Sequence, residues 1–175
     1  MEDIAKSLQQ PEYLHVLLNH LPLTGLVVAL ILLVTAIIAN SRGGMYLALG
    51  AVVILSLSVW PVAYFGEAGY DRVLSMADDA GGLYLKHHHE LAERWIFIYY
   101  VTAAVAVGAM IVGSRKKKWL RLLAIIAASF TAASLYFGAI IADVGGKIRH
   151  REFRHGPPPD QSPEATSSIA TSKIG

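Results

Sequence analysis

Seven histidines are the residues of this chain best suited to chemistry, and they are unevenly placed. His15 and His20 open the first long apolar run, His87, His88 and His89 stand just before the third, and His150 and His155 follow the fourth. If the runs are helices of one bundle, three of them bring imidazole to the same end of it. That is the arrangement with which facing helices ligate a metal or a haem. His20 lies about 7 Å deeper along a helix than His15, where an unpaired imidazole would have to be desolvated, so it is the most informative of the seven. The two point about 140° apart and cannot easily serve one centre from one face. Three consecutive histidines point about 100° apart, so at least one of His87, His88 and His89 faces the bundle whatever its rotation.

The candidate iron ligands are His20, His89, His15 and His150, with His88 as a further cofactor-binding position; the spacing alone does not choose within the triplet, and the resemblance given below is what marks these four. With His20 and His89 as one axial pair, His15 and His150 make another or support the first; the sequence does not assign the pairs, nor which of His87, His88 and His89 faces inward. Arg149 and Arg151 suit haem propionates or lipid phosphates. Asp143 is a candidate partner for Arg149 or for the second nitrogen of a ligating histidine. Other chemistry has little support. The absence of cysteine removes disulfides, thiolate zinc sites, iron-sulfur clusters and covalently attached haem. No glycine-rich phosphate loop, nucleophile elbow or HExxH motif is present.

These histidines meet only if the intervening segments are membrane helices, and the composition says they are. The 175 residues are 54% apolar and 16% charged, with a mean hydropathy of +0.47. About twenty apolar residues cross roughly 30 Å of hydrocarbon. Four stretches qualify: 14–39, 45–65, 94–112 and 119–141. Short connections after the first and third make an all-α, antiparallel, up-down-up-down four-helix bundle. Pro11 suits a helix start, and Pro22 and Pro61 are expected to kink their spans. The acidic start of the chain lacks a basic region and a cleavage site, so the first span is expected to be retained.

The two short loops, here side A, hold Arg42, Arg115, Lys116, Lys117, Lys118 and Arg121 and no acid. Side B, with both termini and the middle loop, carries nine basic and thirteen acidic residues. The positive-inside rule puts side A in the cytoplasm and both termini outside, which in a bacterial inner membrane, the location implied by the resemblance given below, is the periplasm; the basic KIRHREFRH stretch on side B pulls the other way. The lysine run is thus a topology signal, and no nucleic-acid partner is expected. The middle loop, 66–86, has room for one short amphipathic helix over the bundle mouth. Residues 1–155 form the membrane domain, and the Pro/Ser-rich tail 156–175 is expected to be disordered unless a partner holds it.

Three segments, HVLLNHLP at 15–22, GEAGYDRV at 66–73 followed by HELA at 89–92, and GGKIRHREFR at 145–154, carry a resemblance. In order and spacing they are similar to the bacterial four-span membrane family known as domain of unknown function 2231, over roughly residues 13–154. The resemblance carries the family's polar positions onto His15, His20, His89 and His150 and implies a shared histidine-lined site. The residues themselves suggest the chemistry. The expected function is a b-type cytochrome with non-covalent haem b, one or two, and bis-histidine ligation near the periplasmic face. It would pass electrons between a quinone and a periplasmic redox partner, as an electron-transfer subunit rather than a self-contained enzyme. The alternatives are a cofactor-free accessory subunit of a membrane complex and a histidine-based metal-ion binding protein.

Overall fold

The computed structural model describes residues 2–159. The expected disorder of the tail concerns a segment that lies mostly outside them. The described residues form helices and no strand: α1 (Glu2–Ser7), α2 (Pro11–Asn19), α3 (Leu26–Ile38), α4 (Arg42–Leu57), α5 (Val59–Met76), α6 (Asp79–Trp95), α7 (Phe97–Arg115) and α8 (Leu120–Arg149). They assemble into four spans, Pro11–Ile38, Arg42–Met76, Asp79–Arg115 and Lys117–Arg149. The protein is an all-α, multi-pass membrane bundle, as its hydropathy predicts.

Three spans break where the fourth does not. In the first, Pro22 has no N–H for the carbonyl one turn back, and a π turn over Leu21–Gly25 joins α2 to α3, with Gly25 N–H donating to His20 O at 3.0 Å. In the second, Pro61 leaves the Leu57 carbonyl without its usual donor, and the helix breaks at Ser58. The third breaks at Ile96.

At side A the turns are tight. Asn40 takes the left-handed conformation (φ 51°) and the Ser41 hydroxyl accepts from Gly44 N–H at 3.2 Å, capping α4. At side B the expected 66–86 loop is not found. α5 runs on to Met76 and α6 starts at Asp79, so the connection is Ala77 and Asp78, with the Asp78 carboxylate accepting from Gly81 N–H at 2.9 Å. The reason is length: the second and third spans, 35 and 37 residues, are over 50 Å long at about 1.5 Å per residue, well beyond the hydrocarbon. Their polar ends continue as helix outside it.

Exposed Trp60, Tyr64, Phe97 and Tyr136 ring the bundle about twenty residues, or about 30 Å, from the basic side-A loops. Aromatic residues of this kind mark a membrane boundary.

Below that belt the core is dense. Leu26, Leu33, Leu49 and Val52 of the first two spans pack on Ala106, Ala109, Ala124 and Ala127 of the last two, small residues that let helices approach closely. Here α3 packs on α4 and on α8, and α7 packs on α4 and on α8. Above the belt the bundle parts into two layers, α2 on α5 and α6 on α8, with little contact between α5 and α6.

Candidate functional site

Because the layers part just above the helix breaks, a cleft opens between them. All four spans line it, among them Pro22, Val59, Ile96 and Gly138 at the level of the breaks. Its cavity volume is about 80 Å³, and it is open to the outside at one end.

His15 and His88 face each other in this cleft, with ring centres 6.2 Å apart and planes at 87°. Each is anchored to the other helix of its own layer. His15 Nδ1–H donates to the Val62 carbonyl on α5 at 2.8 Å, and His88 Nδ1–H donates to the Ile141 carbonyl on α8 at 2.9 Å. A carbonyl only accepts, so the proton of each neutral ring sits on Nδ1 and the lone pair on Nε2. A glycine one turn beyond each carbonyl makes room for the ring. A Cβ on Gly66 would lie 2.8 Å from His15 Nδ1, and one on Gly145 would lie 3.0 Å from His88 Nδ1.

The remaining sequence candidates lie elsewhere. His20, one turn below His15, bends back on its own helix, its ring Nδ1 at 3.1 Å from the Val16 carbonyl and 3.3 Å from that of Leu17, on the outer surface. The expectation that His15 and His20 cannot share a centre agrees with this, but the inward one is His15. His89 stands between Glu67 and Glu93, at 3.6 and 3.5 Å, with Tyr70 against its ring. His150 pairs with Glu152 at 2.9 Å and stacks on Phe153. The structure therefore brings together neither His20 with His89 nor His15 with His150. Arg149 reaches the Met76 sulfur at 3.8 Å, Arg151 pairs with Asp78 at 3.1 Å, and Asp143 pairs with Lys147 rather than with Arg149 or a histidine. Neither arginine lines the cleft. Among the described residues no group of three or more His, Asp or Glu is set to hold a metal ion.

Two polar lining residues were not singled out from the sequence, although Asn19 lies inside the quoted HVLLNHLP motif. Asn19 ends α2 beside Pro22, and Tyr99, only 3% exposed, sits on α7 with its hydroxyl packed against Gly138. Gly66 and Gly145 were within reach, since both belong to the motifs quoted above.

The rim is held by a charge cluster outside the spans. The Arg154 guanidinium grips Asp78 with two bonds of 2.9 and 3.0 Å, donates to the Lys147 and Ile148 carbonyls, and lies over the Tyr84 ring. That guanidinium, helped by Gly81 N–H and Arg151, holds the Asp78 carboxyl down at about 2. The segment after α8 is thereby strapped to the α5–α6 turn.

No family model, curated protein or solved structure matches the chain. The site is thus read from its own geometry.

Proposed function

We propose that this protein is a b-type cytochrome of a bacterial inner membrane, with both termini periplasmic. It passes electrons between a quinone and a periplasmic redox partner, as a subunit of a larger complex. We further propose that it is a divergent member of the domain of unknown function 2231 family.

One observation carries the reading: two imidazoles from different helix layers, 6.2 Å apart, each with Nδ1 tied down. Two ring nitrogens each about 2 Å from a shared metal put the ring centres about 6 Å apart. A haem needs only two axial groups from the protein, because the porphyrin supplies the other four nitrogens. A bare metal ion would need three or more protein ligands, so the pair favours haem over the metal-ion alternative. The slot lies between two helix layers and its lining is mostly apolar apart from the two imidazoles, Asn19 and Tyr99, as in cofactor clefts. His15 and His88 would hold the iron, and the resident haem would supply one-electron transfer without bond making. The chain's own residues orient the two rings through Val62 and Ile141, and the dense core below excludes water from the side-A half. The family resemblance carries its third histidine onto His89, the immediate neighbour of His88.

The test is a reduced-minus-oxidised spectrum with pyridine haemochrome quantification on protein purified from haem-replete cells with its native partners. A b-type spectrum that is lost in His15→Ala and His88→Ala and kept in His20→Ala is the expected result. Haem-free wild-type protein would overturn the reading and leave the cofactor-free accessory subunit.

A further inference from the structure

The two halves of the site repeat each other. In the first hairpin a histidine on the outgoing helix donates to a carbonyl on the returning helix, and a glycine four residues past that carbonyl faces the ring: His15, Val62, Gly66. In the second hairpin the same three parts are His88, Ile141 and Gly145, with the same interval from carbonyl to glycine. The repeat extends to side A, where Ser41-Arg42 lies as far beyond His15 as Ser114-Arg115 lies beyond His88. The longer return in the second hairpin begins with the turn Lys117–Trp119.

Packing follows the same rule. α3 lies on α4 as α7 lies on α8, and α2 lies on α5 as α6 lies on α8. Between the hairpins, α4 meets α7 across one seam and α3 meets α8 across the other. Exchanging the hairpins maps each of these contacts onto another. That is the pattern of an approximate two-fold axis along the bundle, running between the two imidazoles.

We propose that the cleft is a duplicated half-site that binds one planar, two-faced ligand on this axis. The ligand is a single haem per chain, its opposite faces taken by His15 and His88 with perpendicular ring planes. This rests on the haem reading and deepens it: it assigns the stoichiometry and makes Gly66 and Gly145 matched binding positions. A two-fold site of this kind has room for one centre, because both rings line the same cleft with their centres only 6.2 Å apart. A flat metalloporphyrin presents equivalent metal faces above and below its plane, and so satisfies both half-sites at once. The glycines set how far each imidazole reaches. A methyl group at either would push its ring toward the axis and strain the bond to the iron.

The experiment uses the full chain purified from haem-replete cells. It measures haem per chain by pyridine haemochrome against amino-acid analysis, and records the ferric electron paramagnetic resonance spectrum. The same measurements are made on Gly66→Ala, Gly145→Ala and, as a control, Gly108→Ala, where a Cβ meets nothing within 4 Å. The expected result is one haem per chain and one strongly anisotropic low-spin signal, the signature of perpendicular axial imidazoles. Gly66→Ala and Gly145→Ala each reduce haem content several-fold and to a similar degree, and Gly108→Ala leaves it unchanged. Two haems per chain, two low-spin signals, the rhombic signal of parallel imidazoles, or a large effect of one glycine without the other overturns the proposal while leaving the haem reading standing. Haem-free wild-type protein overturns both. The wild-type stoichiometry and spectrum decide the matter even if a glycine variant fails to fold.

Discussion

The ring centres of His15 and His88 stand 6.2 Å apart with their planes at 87°, and neither ring belongs to the helix that holds it still: the Val62 carbonyl is on α5 and the Ile141 carbonyl is on α8. Each imidazole therefore does two things, lining the cleft with Nε2 left free of the carbonyl bond and fastening one helix layer together. The second role acts with or without a ligand. His15→Ala and His88→Ala are each expected to destabilise the haem-free protein by about 1 kcal/mol, the net worth of one such bond. His20→Ala, whose ring bonds only its own helix, is expected to leave stability unchanged. Thermal unfolding in detergent, followed by tryptophan fluorescence, measures all three.

Buried hydroxyls in the membrane core make a second contrast. Ser56 is fully buried and its hydroxyl has no partner, whereas the equally buried Ser134 shares a 2.8 Å bond with Thr102. An unsatisfied buried hydroxyl is a cost, and a satisfied one a modest gain. Ser56→Ala is expected to hold or raise the unfolding midpoint and Ser134→Ala to lower it, by about 1 kcal/mol each in opposite directions. A loss of stability in Ser56→Ala would contradict the placement of its side chain.

Gly138 lets Tyr99 reach the floor of the cleft. A Cβ there would collide with the Tyr99 hydroxyl and lie 2.8 Å from Leu23 Cδ2. Overpacking of this kind costs about 1–3 kcal/mol, so Gly138→Ala is expected to destabilise the bundle, with Gly108→Ala as the neutral reference in the same assay.

Acid should release the strap at the rim. The Asp78 carboxyl titrates at about 2 in the folded protein and near 3.8 without its partners. Its contribution to stability is therefore complete above about pH 4 and is lost as pH falls through 2. The stability difference between wild type and Asp78→Asn should be constant from pH 7 to about 4 and shrink below that. Hydrogen exchange of residues 147–155 should be faster in the variant at neutral pH, since the Arg154 side chain, only 11% exposed, loses its carboxylate.

The orientation can be read directly, because the chain has no cysteine of its own. Single cysteines at Lys117 and at Ala77 report the two sides. A membrane-impermeant maleimide applied to spheroplasts is expected to label Ala77→Cys at once and Lys117→Cys only after permeabilisation. The reverse pattern would place both termini in the cytoplasm.

The four spans, their antiparallel order and the kinks at Pro22 and Pro61 were legible in the amino-acid sequence. Length of apolar run, missing proline donors and short basic turns are local quantities that need no knowledge of neighbours. The clustering of histidines at one end was equally legible, because it follows from the order of the spans alone. The extension of α5 and α6 into 66–86, up to the two-residue turn Ala77-Asp78, was not. Polar residues there read as a loop, yet helices that outlast the membrane keep their backbone bonds while their side chains turn polar.

Nor did the sequence decide which imidazoles meet. The helical period settles the angle between His15 and His20, or among His87, His88 and His89, but not the rotation of a whole helix against its neighbours. Packing sets that rotation: the start of α2 rests on Gly69, where a Cβ would lie 2.9 Å from the Glu12 backbone, and α6 presses Gly81 to within 2.8 Å of the Ile148 carbonyl by the same measure. These are contacts between residues far apart in the chain. Only the tertiary structure turns His15 and His88, rather than His20 and His89, toward the axis.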